Sequence, residues 1–256
     1  MTATTATQFS VGGVLGEAFS ILTRNLAPFA IISLIVTAPF FVYAYYVGAA
    51  VVQTTSGVSG TTVGVSSSVV GTGALLAWLL QIVLTQIAVG AISFGVFQEM
   101  RGQRADFGQC ITRAVGLIFP VLGVSIVTTL AIGIGTVLLV VPGLILACML
   151  WVVIPVAVVE RPGVFASLSR SGALTKGHRW QIFGIVLIIG IAEMGATYAL
   201  TRIFSSIGGF LLGQLASWVV AAAGSAYTAV STAVGYTSLR FTKEGIGIED
   251  IARIFD

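Results

Sequence analysis

Six long apolar runs constrain this chain more than any other feature of its sequence. They cover residues 26–47, 74–97, 115–141, 144–159, 181–204 and 211–239. About 20 apolar residues in a helix are enough to cross the hydrocarbon core of a bilayer. A tight link at Pro142 and Gly143 separates the third run from the fourth. The runs predict an all-α membrane protein with six transmembrane helices arranged as three hairpins.

The overall composition agrees with this fold class. Apolar residues make up 57% of the chain and charged residues 8%, with a mean hydropathy of +1.05. A soluble domain typically has about 25% charged residues. We therefore expect a single polytopic membrane domain over residues 1–256. The N-terminal sequence has no basic region ahead of its first apolar stretch, so no cleaved signal peptide is expected.

The distribution of positive charge predicts how the chain is oriented. Lys and Arg cluster in the segments that would share one side of the membrane, and only Arg202 lies near the other side. The inner segments hold Arg24, Arg101, Arg104, Arg113, Arg161, Arg170, Lys176, Arg179, Arg240, Lys243 and Arg253. Because cytoplasmic loops carry an excess of Lys and Arg, both termini should be cytoplasmic and the protein should lie in the inner membrane. Residues 48–73 hold no charge and are predicted to be an outer loop.

Residues suited to catalysis or metal binding are scarce. His178 is the only histidine, so no histidine-based metal site is predicted, and we expect this loop imidazole to be solvated. Cys110 and Cys148 fall in an inner segment and inside an apolar run, so no disulfide is expected. The net charge of +3 comes from short loops between apolar runs, which is not the pattern of a nucleic-acid-binding surface. The sequence therefore predicts no enzyme, no cofactor and no nucleic-acid partner.

Short amphipathic segments precede three of the predicted hairpins. Each has apolar residues at helical spacing opposite a polar face, a pattern that predicts interfacial amphipathic helices in the headgroup region on the cytoplasmic side. Their apolar faces consist of Val11, Val14, Leu15, Ala18 and Leu22; of Phe107, Cys110, Ile111 and Ala114; and of Val164, Phe165 and Leu168. Ile248, Ile251 and Phe255 show the same spacing in the tail. The recurrence indicates either a threefold repeat or the shared topology of three hairpins.

The most cationic loop, residues 160–180, is the first candidate site. It carries Arg161, Arg170, Lys176 and Arg179, followed by Trp180. Guanidinium and ammonium groups beside a bilayer bind anionic lipid phosphates, and tryptophan anchors at the interface. The loop therefore predicts a phospholipid-binding site, with membrane phospholipids as the partner. The alternative is that these residues only fix the topology.

Glu193 is the second candidate, because it lies near the middle of the fifth apolar run. An ionisable group at this depth costs about 2.5–3.5 kcal/mol or more unless it is paired or protonated. Arg202 projects from the opposite face of the same helix, so the two cannot pair along it. Glu193 either contacts a substrate or proton in a polar cavity, or acts as a hydrogen-bonded strut.

Small residues recur every four positions along the sixth run. They are Gly213, Ser217, Ala221, Ser225, Ala229, Ala233 and Thr237, preceded by Gly209. A stripe of small side chains lets another helix approach closely. The neighbouring helix belongs either to the same chain or, in a homo-oligomer or membrane complex, to a partner.

One region resembles a known family. Residues 141–189 contain Pro142-Gly143, Pro155, Glu160-Arg161, Ser167-Leu168, Arg170-Ser171, Leu174, Gly177 and Arg179-Trp180. This pattern resembles the membrane domain found ahead of glycerophosphodiester phosphodiesterase domains in some bacteria, and in stand-alone relatives of uncharacterised role. The resemblance implies a six-span helical domain without the hydrolase. We expect a non-enzymatic protein that engages phospholipids and supports lipid handling or envelope homeostasis. The alternatives are a small secondary transporter using Glu193 and a scaffold subunit.

Overall fold

A computed structural model describes residues 9–55, 67–100, 108 and 118–245 of the chain. Within these residues the regular structure is entirely helical, which confirms the all-α class. The helices are α1 Val11–Arg24, α2 Leu26–Thr55, α3 Ser67–Met100, α4 Ile118–Leu138, α5 Val140–Met149, α6 Val153–Val159, α7 Val164–Thr175 and α8 Arg179–Glu244. The predicted amphipathic segment around Phe107 to Ala114 and the tail around Ile248 to Phe255 lie outside the described residues.

Five helical segments are long and apolar enough to cross a membrane. They are Leu26–Gly48, Gly71–Met100, Phe119–Leu138, Val140–Val159 and Arg179–Glu244. The predicted outer loop over residues 48–73 is wrong at both ends, because α2 continues to Thr55 and α3 begins at Ser67. Extending an existing helix costs little when the next residues include neither proline nor a charge.

The 66-residue helix α8 folds back on itself at two glycines. Gly208 and Gly209 leave helical geometry, and Gly209 has φ 69 and ψ −163, a conformation reserved almost entirely for glycine. Residues before this break contact residues after it. A β-carbon added to Gly213, after the break, would lie 2.9 Å from Cβ of Ser205, before it. Farther from the break, a β-carbon on Gly224 would lie 2.6 Å from Cδ of Glu193. These symmetrical contacts define an antiparallel hairpin, whose arms we call α8a (179–207) and α8b (210–244).

The break between α4 and α5 lies before the predicted Pro142–Gly143 link. Leu139 is extended, with φ −159 and ψ 133, and α5 begins at Val140. Pro142 therefore occupies the first turn of α5, where its missing N–H leaves no intrahelical hydrogen bond unmade. Gly143 permits the two helices to touch at this turn, since a β-carbon there would overlap Thr136.

The predicted fourth span is divided into two helices. Residues 150–152 form a turn between α5 and α6, and Val153 N–H bonds to the Leu150 carbonyl. Pro155 explains the division, because its ring has no N–H for the carbonyl of Trp151 and clashes with it. All seven residues of α6 are buried. This short helix is therefore enclosed by the rest of the bundle, and Glu160 is its C-cap.

Helix α1 packs its apolar face on α8. Ser10 caps its start by accepting a hydrogen bond from Gly13 N–H at 3.2 Å. Val14 and Ala18 are buried as their spacing predicts. The Tyr227 hydroxyl on α8b donates to the Leu15 carbonyl at 2.9 Å. The amphipathic face of α1 is thus covered at least in part by protein.

Candidate functional site

An ion-pair network joins three helices at the end of the bundle where α8 begins and ends. Its members are Glu160, Arg170, Tyr236, Arg240 and Glu244. Glu160 follows the last turn of α6, and Arg170 lies on α7. The other three follow one another at four-residue intervals on α8b, so their side chains share one helix face. The two ends of the chain segment 160–244 meet here.

Arg170 occupies the centre of this ion-pair network. Its Nε donates to Oε2 of Glu160 at 2.8 Å, and its Nη2 donates to Oε1 of the same carboxylate at 3.2 Å. Its Nη1 lies 2.6 Å from Oε1 of Glu244. All three guanidinium nitrogens therefore contact carboxylate oxygens. Arg170, predicted as a lipid ligand, has a role in the fold that the sequence did not reveal.

Arg240 supplies the second positive charge of the network. It is only 6% exposed, and a buried arginine is stable only with partners. Its Nε lies 3.2 Å from Oε2 of Glu244, and its Nη1 donates to the Tyr236 hydroxyl at 3.1 Å. Tyr236 in turn donates to Oε1 of Glu160 at 2.9 Å. The two carboxylates balance the two guanidinium groups, so the network is neutral as a whole.

The hydrogen bonds of the network shift the pKa values of Glu244 and Arg170. The hydrogen bond from Arg170 is the main reason that the pKa of Glu244 lies below its ordinary value. Reciprocally, the hydrogen bonds to Glu244 and Glu160 raise the pKa of the Arg170 guanidinium further above its ordinary value. Both shifts favour the charged forms. Glu244 and Arg170 therefore stay ionised at neutral pH.

A second group of basic residues lies at the start of α8, and we call Lys176, Arg179 and Trp180 the basic corner. Lys176 is exposed, and Trp180 is 86% exposed. The residue before the helix, His178, makes no side-chain cap, and the first turn holds no acidic residue. The first N–H groups of α8 and the positive end of its dipole therefore lie beside two cations and have no side-chain cap. This arrangement suits an anion such as phosphate.

Arg179 is only partly turned outward. Its Nε is buried and has no hydrogen-bond partner within the described residues. Neighbouring His178 is half-buried, with Nδ1 2.6 Å from Oε1 of Gln181 and its ring edge-to-face with Phe9. The expectation that His178 is solvated is therefore wrong. The turn from α7 to α8 packs its imidazole against the region before α1.

Two further residues border the same end of the bundle. Arg161, predicted to bind lipid, is exposed and has φ 48, a left-handed conformation that is uncommon outside glycine. Phe165 in the first turn of α7 is 78% exposed. Phe165 and Trp180 are large side chains that the described protein leaves uncovered. Exposed aromatic residues beside cations are typical of a membrane-water interface.

Glu193 faces the contact between α8a and α8b. Its side chain is half-buried and lies against Gly224. It also lines a 550 Å³ groove that reaches Arg202. The Arg202 guanidinium lies over the Tyr198 ring, 5.4 Å from its centroid, and no salt bridge to Glu193 is found among the described residues. The Thr201 hydroxyl, in the same groove, is buried without a partner there.

The small-residue stripe on α8b is largely used inside the chain. Gly213 packs against α8a, and Ala229, Ala233 and Thr237 are buried. Ser217, Ala221 and Ser225 are half-buried and line a cavity, while Gly209 forms the turn. Close packing within the chain therefore accounts for the stripe at both ends, as one of the two alternatives predicts.

No family model, curated protein or solved structure matches this chain. The geometry and the chemistry of the residues therefore carry the functional argument.

Sequence reasoning missed the ion-pair network. One signal was present: Tyr236, Arg240 and Glu244 recur every fourth residue at the end of the last apolar run. This spacing places three hydrogen-bonding side chains on one face of a helix. Their partners Glu160 and Arg170 lie more than 60 residues earlier, and only the folded chain brings them together.

Proposed function

We propose that this chain is an integral inner-membrane protein that crosses the bilayer six times, with both termini and the basic corner in the cytoplasm. The fold-back of α8 supports two passes for the longest apolar segment. Together, α5 and α6 would make the return pass of the second hairpin. All Lys and Arg residues except Arg202 fall in the segments assigned to the inside, which follows the positive-inside rule.

Within this topology, we propose a non-enzymatic role in which the basic corner engages anionic phospholipid of the cytoplasmic leaflet. The single observation that carries the proposal is the start of α8 at Arg179, which has no side-chain cap and lies close in sequence to the exposed Lys176. Phosphate is attracted both by the helix dipole and by the two cations. Trp180 would anchor the corner at the headgroup level. The resemblance to the membrane domain of glycerophosphodiester phosphodiesterase fusions supports a role in lipid handling.

The other predicted ligands divide into two groups. Arg161 is exposed near Phe165 and belongs with the proposed lipid-facing surface. Arg170 does not, because its guanidinium is already bound by Glu160 and Glu244. If Arg170 were replaced together with Lys176 and Arg179, loss of bound lipid could not be distinguished from loss of the folded structure.

Native mass spectrometry in mild detergent tests the proposal on K176Q and R179Q, with R24Q as the matched control. Arg24 is also an exposed cation, with a side chain 70% accessible and only a 3.9 Å contact to Glu99. Each corner variant should retain about tenfold less anionic phospholipid, the loss expected for one charge-assisted contact. R24Q should retain as much as the native protein. Equal retention by K176Q and R24Q in folded protein would contradict the proposal, whatever R179Q does to stability.

A second candidate function is transport of a small solute, in which Glu193 contacts the solute or a proton. The observation that favours it is the groove in which Glu193 and the unpartnered Thr201 hydroxyl both lie. In proteoliposomes carrying a pH-sensitive dye, E193Q should abolish any proton flux that the native protein catalyses. The same flux in E193Q and native protein would remove Glu193 from this role.

A further inference from the structure

A 380 Å³ cavity lies between α2, α3 and both arms of α8. Several polar side chains line it, among them Thr37, Gln81, Gln214 and Ser217. Its volume exceeds the lower limit of about 300 Å³ typical of small-molecule sites. Clustering amides and hydroxyls at this depth is costly unless they find hydrogen-bond partners. The polar side chains that line this cavity therefore lower the stability of the protein unless they find hydrogen-bond partners.

Most of these polar groups are held in place by one another. The Trp218 indole N–H donates to Oγ1 of Thr37 at 2.9 Å, which fixes α2 against α8b. On α3, Nε2 of Gln81 donates to Oγ1 of Thr85 at 3.0 Å. Ser217 donates to the backbone carbonyl of Gln214 at 2.8 Å, and its hydroxyl also lies 3.3 Å from Oε1 of the Gln214 side chain. The polar wall is consequently ordered in advance of any ligand.

One acceptor in this wall is left without a donor. Oε1 of Gln81 is buried and has no hydrogen-bond partner within the described part of the chain. An unmet buried carbonyl costs about 1–3 kcal/mol. A molecule that occupies the cavity and donates a hydrogen bond to Gln81 would recover this cost. An anion without a donor group would not.

The charges near the cavity define the ligand further. Among the described residues that line it, none has an ionisable side chain. Glu193 lines the separate 550 Å³ groove, which meets the cavity at Thr197. A cation in the cavity would therefore be buried without a carboxylate among its lining residues, which is strongly unfavourable. Aromatic side chains also line it, and the rings of Phe41 and Trp218 are stacked with their centroids 4.7 Å apart.

We propose that this cavity binds an uncharged, hydroxyl-bearing molecule, with a hydroxyl donating to Gln81 and the carbon skeleton against Phe41 and Trp218. A hydroxyl both donates and accepts, which matches a wall of amides and hydroxyls. The same chemistry occurs in a free polyol and in the sugar headgroup of an uncharged glycolipid. This proposal concerns binding alone and does not depend on the basic corner.

The fluorescence of Trp218 provides the test, with the full chain in phosphatidylcholine nanodiscs. The probes are myo-inositol and glycerol as free polyols, and monoglucosyl diacylglycerol as a lipid with the same hydroxyl chemistry. At least one probe should shift the emission saturably, and the shift should be absent in W218F. A saturable emission shift with a free polyol would identify the ligand of the cavity as a soluble molecule. A saturable shift with the glycolipid alone would identify it as a lipid.

Gln81→Met separates recognition from packing, because it keeps the side-chain length and removes the hydrogen-bonding amide. Q81M should weaken binding of the active probe about tenfold. The matched control is Q181M at the start of α8, beside His178 and remote from the cavity, which should bind as the native protein does. The proposal is overturned by any of three results: no saturable shift with any probe, equal affinity in Q81M and native protein, or equal affinity for choline.

Discussion

Arg170 on α7 and Glu160 at the end of α6 form a two-point ion pair, with contacts of 2.8 Å and 3.2 Å between their side chains. Because Arg170 also contacts Glu244 at 2.6 Å, one guanidinium links α6, α7 and the end of α8. The seven buried residues of α6 are thereby fixed to the last helix of the bundle. The pair is therefore one of the contacts that hold the α7 segment against the rest of the protein.

Loss of this pair should be costly. We expect R170Q to lower the free energy of unfolding by about 1–3 kcal/mol, since two partly buried carboxylates would lose charged donors. R24Q removes the same charge from a surface contact of 3.9 Å and should cost about 0–1 kcal/mol. Thermal unfolding in detergent measures the difference. Equal melting temperatures for R170Q and R24Q would show that the network contributes nothing to stability.

The contribution of Glu244 should depend on pH in one direction. The folded-state pKa of Glu244 is below its ordinary value, chiefly because of the hydrogen bond from Arg170. Its stabilisation is therefore fully present above the unfolded pKa of about 4.3, and it disappears as the pH falls through the lower folded value. The melting temperature of native protein should exceed that of E244Q at pH 7, and the gap should close below about pH 4. If the difference in melting temperature between native protein and E244Q widened as the pH falls, the pKa of Glu244 would not be lowered on folding.

The turn of the α8 hairpin should require glycine at one position. Gly209 has φ 69 and ψ −163, so G209A should destabilise the protein by about 1–3 kcal/mol. Gly195 on α8a is helical, and a β-carbon there would meet nothing within 4 Å. G195A should therefore be neutral or stabilise by up to about 1 kcal/mol, because alanine favours a helix. Melting temperatures of the two variants provide the comparison, and equal effects would mean that the turn tolerates a side chain.

Local patterns in the sequence predicted the long helices and the buried face of α1, because these features depend on residues close together in the chain. Apolar run length located the long helices, and helical spacing identified Val14 and Ala18 on the buried face of α1. The tight turn before α5 was misplaced by three residues, because proline can begin a helix as well as end one. The break before α6 follows from Pro155, but the apolar run over residues 144–159 is continuous and predicted a single helix there.

The sequence did not predict the ion-pair network or the cavity, because both depend on contacts between residues far apart in the chain. Arg170 looked like a free surface cation, since nothing near it in sequence indicates that Glu244 would reach it. The cavity beside Gln81 likewise depends on four helical segments that lie far apart in the chain. Spacing along one helix gives the face on which a side chain lies, but it does not give the residue opposite.

The contact between Glu193 and Gly224 gives a last prediction that separates packing from chemistry. A β-carbon at position 224 would lie 2.6 Å from Cδ of Glu193, so G224A must displace the carboxyl group. Because the overlapping atoms are the far end of a flexible side chain, we expect G224A to lower the free energy of unfolding by about 1 kcal/mol at most. Shortening the neighbour should relieve the overlap, so G224A should cost less in an E193A background, with a coupling of about 0.5–1 kcal/mol. A double-mutant cycle of unfolding free energies measures it, and strictly additive effects would show that the two arms of α8 do not meet at these residues.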